Sequence, residues 1–234
     1  MRILAIIPAR SGSKGVPGKN AYLLDGRSLI QHAVDCALKS NNVTKIVVTS
    51  DSNELLDIVE NNEKVIKLLR PAHLASDDSN IIDSIDHVIS LFSDFEYLIL
   101  LQPTSPLRTS LDIDCIVEEF RHDDSVEGVI SVVPLSDMHP SRMYFTNEKL
   151  NLISLNQEEE FVRRQDLKNV YFRNGCFYMV KTKAFIEQKT LMPKVKKAYI
   201  MKEEWLLNID SLRDIKVLNL IYDEWKNEIG NYRK

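Results

Sequence analysis

The chain has 234 residues, a formal net charge of −4 and a charged fraction of 27%, enough for one α/β unit with an attached excursion and a sizeable core. An acidic balance argues against a general nucleic-acid binder, although a local basic patch still attracts a small anion. Cys36, Cys115 and Cys176 are far apart, odd in number and free of C-x-x-C spacing, so they read as buried thiols in a reducing compartment and supply no zinc site.

The opening MRILAIIPAR has too short an apolar run for a secretory signal, and no apolar stretch approaches the ~20 residues that span a bilayer. A soluble, cytoplasmic chain with no membrane or nucleic-acid partner is therefore expected. ILAII is a continuous apolar run closed by Pro8, and KIVVTS and YLILLQ repeat it, as strands buried on both faces of a parallel sheet do. Ser28 caps LIQHAVDCALKS, whose Leu29, Ile30, Ala33, Val34, Ala37 and Leu38 form one apolar face. NELLDIVENN, NIIDSIDHVISLF and LDIDCIVEEF read as further helices, the last two with Ser79 and Ser110 as caps. This alternation predicts right-handed βαβ crossovers and a doubly wound, mostly parallel α/β sheet that binds ligands at the carboxyl ends of its strands.

After GVISVVPL the rhythm breaks. Residues 137–172 are polar, with MYFTNEKLNLISL patterned as a hairpin and QEEEFVRRQDLKN as a mixed-charge connection; lid, dimerisation arm and flexible insert are all open to such a segment. GCFYMVK then reads as a strand, and WLLNID leads into the terminal helix SLRDIKVLNLIYDEW, where Ser211 and Asp214 have capping-box spacing.

The loop after the first strand, IPARSGSKGVPGKN at residues 7–20, carries three glycines, one arginine and two lysines and no acid. Glycines allow close backbone approach to an oxyanion, and exposed N–H groups meet it. A Walker A element needs other glycine spacing and Ser or Thr after Lys19, where Asn20 stands; the G-x-G-x-x-G fingerprint is also absent. Arg10, Lys14 and Lys19 supply cations enough to oppose a triphosphate, and a solvated basic turn is the alternative. Farther on, the strand of LLQPTSPLR ends in Gln102, and two prolines fix a turn bearing the Thr104 and Ser105 hydroxyls, a rigid place to read a sugar.

PARSGSKGVPGKN, RPAHLASDDS, LLQPTSPLR, RRQDL, RNGCFY and NIDSLRD resemble, in that order, the motifs of the acylneuraminate cytidylyltransferases, the CMP-sialic acid synthetase family. The resemblance runs from residue 3 to about residue 220. It implies one cytidylyltransferase domain over residues 1–234 with a modified Rossmann-type, glycosyltransferase-A-like fold, and a homodimer whose arm is the 137–172 excursion. The activity implied is transfer of CMP from CTP to the anomeric hydroxyl of a nine-carbon 2-keto sugar acid, with release of pyrophosphate and a divalent cation such as Mg²⁺. The related 3-deoxy-octulosonate cytidylyltransferases lack the PTSPLR turn, which favours a nonulosonate acceptor.

Residue by residue, the resemblance puts Arg10 and Lys19 on the triphosphate, with Lys19 near the α-phosphate. Ser11, Gly12, Lys14, Asn20, Arg70 and Ser79 complete the nucleotide contacts, although Arg70 also reads as a surface ion pair with Asp77 or Asp78. Gln102, Thr104, Ser105 and Asn174 face the acceptor, and Arg164 approaches its carboxylate from the partner subunit. Arg108 reads equally as an anchor of the turn through backbone carbonyls.

The chain departs from the family pattern twice. Phe172 stands two places before the Asn-Gly pair where an arginine is common, and Arg173 directly precedes Asn174, a shift that reverses the face of a strand. The common Asp-x-Asp is Asn208-Ile209-Asp210. Residues i and i+2 of a strand share a face, so Asn208 and Asp210 can both point at one Mg²⁺, with Asp210 the anionic and catalytic ligand beside Arg10 and Lys19. The alternative is that Asn208 only hydrogen-bonds the strand end. His32, His73, His87, His122 and His139 read as structural or solvated, with no Ser-His-Asp arrangement. Two further functions fit the pattern: nucleotidyl transfer to a phosphorylated sugar, and regulatory nucleotide binding with weakened catalysis.

Overall fold

The computed structural model describes all residues except 13–14, 77–78, 136–137 and 232–234. In chain order its strands are β1 (Ile3–Ala9), β2 (Leu23–Leu24), β3 (Arg27–Ser28), β4 (Lys45–Ser50), β5 (Val65–Leu69), β6 (Tyr97–Leu100), β7 (Gly128–Pro134), β8 (Tyr144–Thr146), β9 (Leu152–Ser154), β10 (Tyr171–Lys181) and β11 (Lys196–Ile200). The helices are α1 (Leu29–Lys39), α2 (Asn53–Asp57), α3 (Ile81–Leu91), α4 (Ser110–His122), α5 (Thr182–Gln188) and α6 (Leu212–Asn231).

The apolar run of β1 splits by alternate residue, as the pleat requires. Ile3, Ala5 and Ile7 enter a core with Ile30 and Val34 of α1 and Ile113 and Val117 of α4. Leu4 and Ile6 enter the opposite core with Ile85 and Val88 of α3 and Phe185 of α5. Burying each such side chain stabilises the fold by roughly 2 kcal/mol. Helices thus cover both faces of a seven-stranded sheet ordered β11-β7-β10-β6-β1-β4-β5.

β1 runs parallel to β4 and β6, and β4 parallel to β5. The chain therefore builds outward from β1 in one direction and returns to its other side with β6, which opens a crevice at the carboxyl ends of these strands. β10 is inserted antiparallel between β6 and β7, with a register irregularity between Arg173 and Tyr178. β11 closes the edge parallel to β7. The excursion contains the expected hairpin, β8 paired antiparallel with β9.

Local chemistry moves several expected boundaries. Ser28 caps α1, its Oγ accepting from Gln31 N at 3.2 Å. α3 is capped by Asn80 rather than Ser79 and α4 by Thr109 rather than Ser110; Thr109 forms a reciprocal capping box with Asp112. NELLDIVENN is helical only over Asn53–Asp57. β1 continues through Pro8 to Ala9. Cys36 and Cys176 are buried as expected, whereas Cys115 is exposed. Residues 206–210, before α6, belong to no strand or helix.

α6 packs through Ile215, Leu218, Tyr222 and Trp225 onto a third apolar cluster that also contains Val16, Leu29, Leu107, Leu207 and Ile209. One cluster therefore fastens the glycine-rich loop, the PTSPLR turn and the Asn208–Asp210 segment from behind.

Candidate active site

A cavity of about 550 Å³ opens at the crevice, lined by Arg10, Lys19, Asn20, Arg70, Ser79, Gln102, Thr104 and Asp210 among others. Each side chain is delivered by a strand's carboxyl end or by a segment pinned to one. Arg10 directly follows β1. Gly18 adopts a left-handed φ of +67° and turns the loop into a short 3-10 helix at Lys19–Ala21. Asn20 is buried and donates through Nδ2 to the Arg10 carbonyl at 2.9 Å. The loop's start and end are joined by that bond.

Lys19 leans across to the C-terminal segment. Its Nζ donates to the Ile209 carbonyl at 2.7 Å and lies 3.3 Å from Asp210 Oδ1. Gly15 sits so close to Asp210 that a Cβ there would overlap the Asp210 carbonyl. The Ile209 N–H in turn donates to the Thr104 carbonyl at 2.9 Å. Loop, turn and C-terminal segment thus meet along one wall of the cavity.

Arg70 follows β5 and forms the opposite wall, its N–H donating to the Ser50 carbonyl at 2.8 Å. It is 5% exposed, and its Nε and Nη1 have no hydrogen-bond partner among the described residues. Burial lowers its pKa, with Asp51 opposing and Arg10 adding to the shift. A buried guanidinium with unsatisfied donors favours an anion. Ser79 donates to the Ser76 carbonyl at 2.5 Å, and Arg10 Nη1 reaches that carbonyl at 3.4 Å.

Other expected site residues stand apart. Ser11 and Gly12 do not line this cavity, and Ser11 bonds to Asp51, a residue the sequence reading did not single out. Lys14, with Ser13, and the suggested Arg70 partners Asp77 and Asp78 lie outside the described residues. Ser105 is buried below the turn, where its Oγ donates to Asn208 Oδ1 at 3.3 Å. Asn174 is buried at the β10 irregularity, accepting from Ser131 Oγ at 2.6 Å and from Cys176 N at 3.3 Å. Arg173 is exposed and lies over the Tyr178 ring at 5.8 Å. Arg108 matches its anchoring reading: it is buried, donates to the Cys176 carbonyl at 2.9 Å and lies over Phe177.

Asn208 and Asp210 do share a side, although not as members of a strand: Asn208 Nδ2 donates to Asp210 Oδ2 at 2.9 Å. Among the described residues no group of three or more His, Cys, Asp or Glu is placed to hold a metal. One carboxylate lining a cavity that also carries Arg10, Lys19 and Arg70 is nevertheless a donor set that suits Mg²⁺ where waters and a ligand's oxygens complete its shell.

Arg164 does not reach this cavity. It lines a second cleft of about 460 Å³ on the excursion with His139, Arg142 and Lys168. His139 is buried, with Nδ1 2.8 Å from Ser141 Oγ and Nε2 3.1 Å from the Lys168 carbonyl, a structural histidine as expected.

A family profile described as Cytidylyltransferase matches residues 4–226. The chain is 32% identical over 216 residues to an N-acylneuraminate cytidylyltransferase of Escherichia coli O18:K1:H7, covering 92% of this chain and 51% of that protein. It thus spans about half the length of that relative. It is 34% identical over 205 residues to a CMP-N,N'-diacetyllegionaminic acid synthase of Legionella pneumophila, covering 86% and 87% of the two chains. A solved CMP:2-keto-3-deoxy-manno-octonic acid synthetase complexed with CTP has the same fold, with a TM-score of 0.71 at 15% identity over 96% of this chain and 99% of that one. Six motifs in order, the crevice that four of them line and a profile match over nearly the whole length agree, and the chain belongs to the cytidylyltransferase family.

Proposed function

We propose that the chain transfers CMP from CTP to the anomeric hydroxyl of a nine-carbon 2-keto sugar acid of the sialic or legionaminic type, releasing pyrophosphate. The observation that carries this reading is the single cavity at the β1/β6 switch point with Arg10, Lys19 and Arg70 around it and Gln102 and Thr104 at one end. In such a transfer the hydroxyl oxygen bonds to the α-phosphorus as its bond to the β-phosphate oxygen breaks. Negative charge grows on the phosphate oxygens and the leaving group, so positioned cations do most of the work. Arg10 and Arg70 hold the triphosphate, and Lys19 exchanges its Ile209 and Asp210 contacts for the reacting phosphate. Asn20 keeps the loop in shape, Gln102 and Thr104 orient the acceptor, and Ser79 lies beside the nucleotide.

Asp210 would hold Mg²⁺, with Asn208 beside it. The ion supplies charge neutralisation to the triphosphate when bound. A phosphorylated acceptor would need further cations at the Gln102 end, and the residues supplied there are Gln102, Pro103 and Thr104. Incubating the pure protein with Mg²⁺, each NTP, free keto acids and sugar phosphates, then measuring pyrophosphate, tests the proposal. Release with CTP and a free keto acid supports it. Release only with a sugar phosphate, or CTP binding without turnover, refutes it.

The functional unit is proposed to be a homodimer built through the excursion. Phe145, Leu150, Leu152 and Phe161 are 62%, 80%, 66% and 92% exposed. A two-stranded hairpin is marginal in water without an apolar surface to cover, and a second copy would bury this one while carrying Arg164 toward the acceptor end of the neighbouring cavity. A light-scattering mass of two chains is expected; one chain at micromolar concentration contradicts it. The free cysteines support a reducing, cytoplasmic setting, and among the described residues no helix is long and apolar enough to cross a membrane.

A further inference from the structure

Asp51 follows β4 directly and does not line the nucleotide cavity, yet it faces the residue next to Arg10. Its Oδ1 accepts from the Ser11 N–H at 3.0 Å and its Oδ2 from Ser11 Oγ at 2.6 Å. The Arg10 carbonyl accepts from Asn20 Nδ2 at 2.9 Å. That carbonyl and the Ser11 N–H belong to one peptide group. The peptide plane between Arg10 and Ser11 is therefore held at both ends, from β4 on one side and from the 3-10 helix on the other. Rotation about the Arg10 ψ and Ser11 φ bonds is thereby restricted, which fixes the point and direction in which the Arg10 side chain leaves the backbone.

The charge of Asp51 also has a place. Arg10 and Arg70 both line the cavity and are close enough to repel each other, and Asp51 attracts Arg70. Burial works against ionisation of Asp51, but the two Ser11 bonds, its own N–H and Arg70 outweigh it and hold its pKa below the usual value. Asp51 is thus an anion beside a site for anions, which argues against direct phosphate contact and for action through its neighbours.

We infer that Asp51 is a positioning residue for nucleotide binding: it fixes the Arg10–Ser11 peptide so that Arg10 is aimed at the triphosphate before CTP arrives. This rests on the nucleotide reading above. A preset cation avoids ordering costs on binding, so loss of Asp51 should weaken CTP while leaving acceptor binding alone.

Calorimetric CTP affinity, read without acceptor, tests this in about five proteins, the unaltered chain included. Asp51→Ala is expected to weaken CTP about tenfold, the scale of one or two lost hydrogen bonds. In an Arg10→Ala background the same change should cost less than about twofold, because the residue it positions is gone. Asp51→Asn retains an acceptor for the Ser11 N–H and a partner for Ser11 Oγ, so its affinity should stay within about twofold of the unaltered chain. Equal CTP affinity in Asp51→Ala and the unaltered chain overturns the inference. So does an undiminished loss in the Arg10→Ala background, or an Asp51→Asn protein as weak as Asp51→Ala. Should Asp51→Ala fail to fold, Asp51→Asn and Ser11→Ala carry the test: the first must bind CTP normally and the second more weakly. A chain that binds no CTP at all overturns the nucleotide reading along with the inference.

Discussion

Lys19 and Asp210 meet in one wall of the cavity, Nζ to Oδ1 at 3.3 Å, while the Lys19 ammonium also donates to the Ile209 carbonyl at 2.7 Å. The lysine is 14% exposed at its side chain and the aspartate 68%. Among the described residues Asp210 is the carboxylate that lines the cavity, and on the proposed function an arriving nucleotide with Mg²⁺ would part the two charges. Lys19→Ala should therefore lower turnover by about 10²-fold and CTP affinity by less than about tenfold, because a positioned cation is worth most where charge develops. Steady-state kinetics and calorimetry on one preparation measure both. Unchanged turnover would remove Lys19 from the chemistry.

Gly15 is the tightest point in the same wall. A methyl group there collides with the Asp210 carbonyl, a backbone atom that cannot rotate away. Gly15→Ala should push the loop off Asp210, and a displacement of about 1 Å can cost about 10²-fold in rate. The melting temperature should move little, since the loop's apolar anchor, Val16, stays in its cluster. Normal kcat/KM in this variant would show that the loop and Asp210 need not be apposed.

The metal proposal is tested at positions 208 and 210. Asp210→Ala should abolish turnover at any Mg²⁺ concentration. Asn208→Asp replaces the Nδ2 donor to Asp210 with a second carboxylate, a repulsion that Mg²⁺ would relieve, so it should remain active with an equal or lower Mg²⁺ requirement. Wild-type turnover in Asp210→Ala ends the proposal, and a raised Mg²⁺ requirement in Asn208→Asp removes Asn208 from it.

Asp214 links pH to stability. Burial raises its pKa, but bonds from the Asp210 N–H at 3.0 Å, the Ser211 N–H at 2.8 Å and Ser211 Oγ at 2.9 Å outweigh it and hold the value below the ordinary one. A depressed folded-state pKa means that this stabilisation is complete above the unfolded value of about 3.9 and is lost as pH falls below it. Asp214→Ala should cost about 1 kcal/mol at pH 7. In urea melts, the difference from wild type should hold down to about pH 4 and shrink as the pH falls further; a constant difference contradicts the assignment.

The strands nearest the site were legible because burial on both faces writes itself as continuous runs such as ILAII and KIVVTS. The insertion of β10 between β6 and β7 was not, since GCFYMVK has the same apolar content in either direction and at any place in the sheet. Ser79 and Ser110 are plausible caps by type, but Asn80 and Thr109 are equally good acceptors one residue away, and side-chain geometry decides between them. Arg10, Lys19, Asn20 and Arg70 were found through loop chemistry and resemblance and converge on the cavity. Asp51 was missed because a lone acid after a strand has no motif; its meaning lies in Ser11, 40 residues away. Arg164 sits in a different cleft of the same chain, because the RRQDL motif marks the residue and not the fold of the excursion that carries it.

The most direct measurement is pyrophosphate release from CTP and Mg²⁺ with a free nine-carbon 2-keto sugar acid, set against the same acid with ATP, GTP and UTP. The account predicts release with CTP, a CMP-sugar product joined through the anomeric oxygen, and loss of both in Lys19→Ala and Asp210→Ala. Release that requires a sugar phosphate, or CTP binding with no product from any keto acid in a sialic and legionaminic panel, would contradict it.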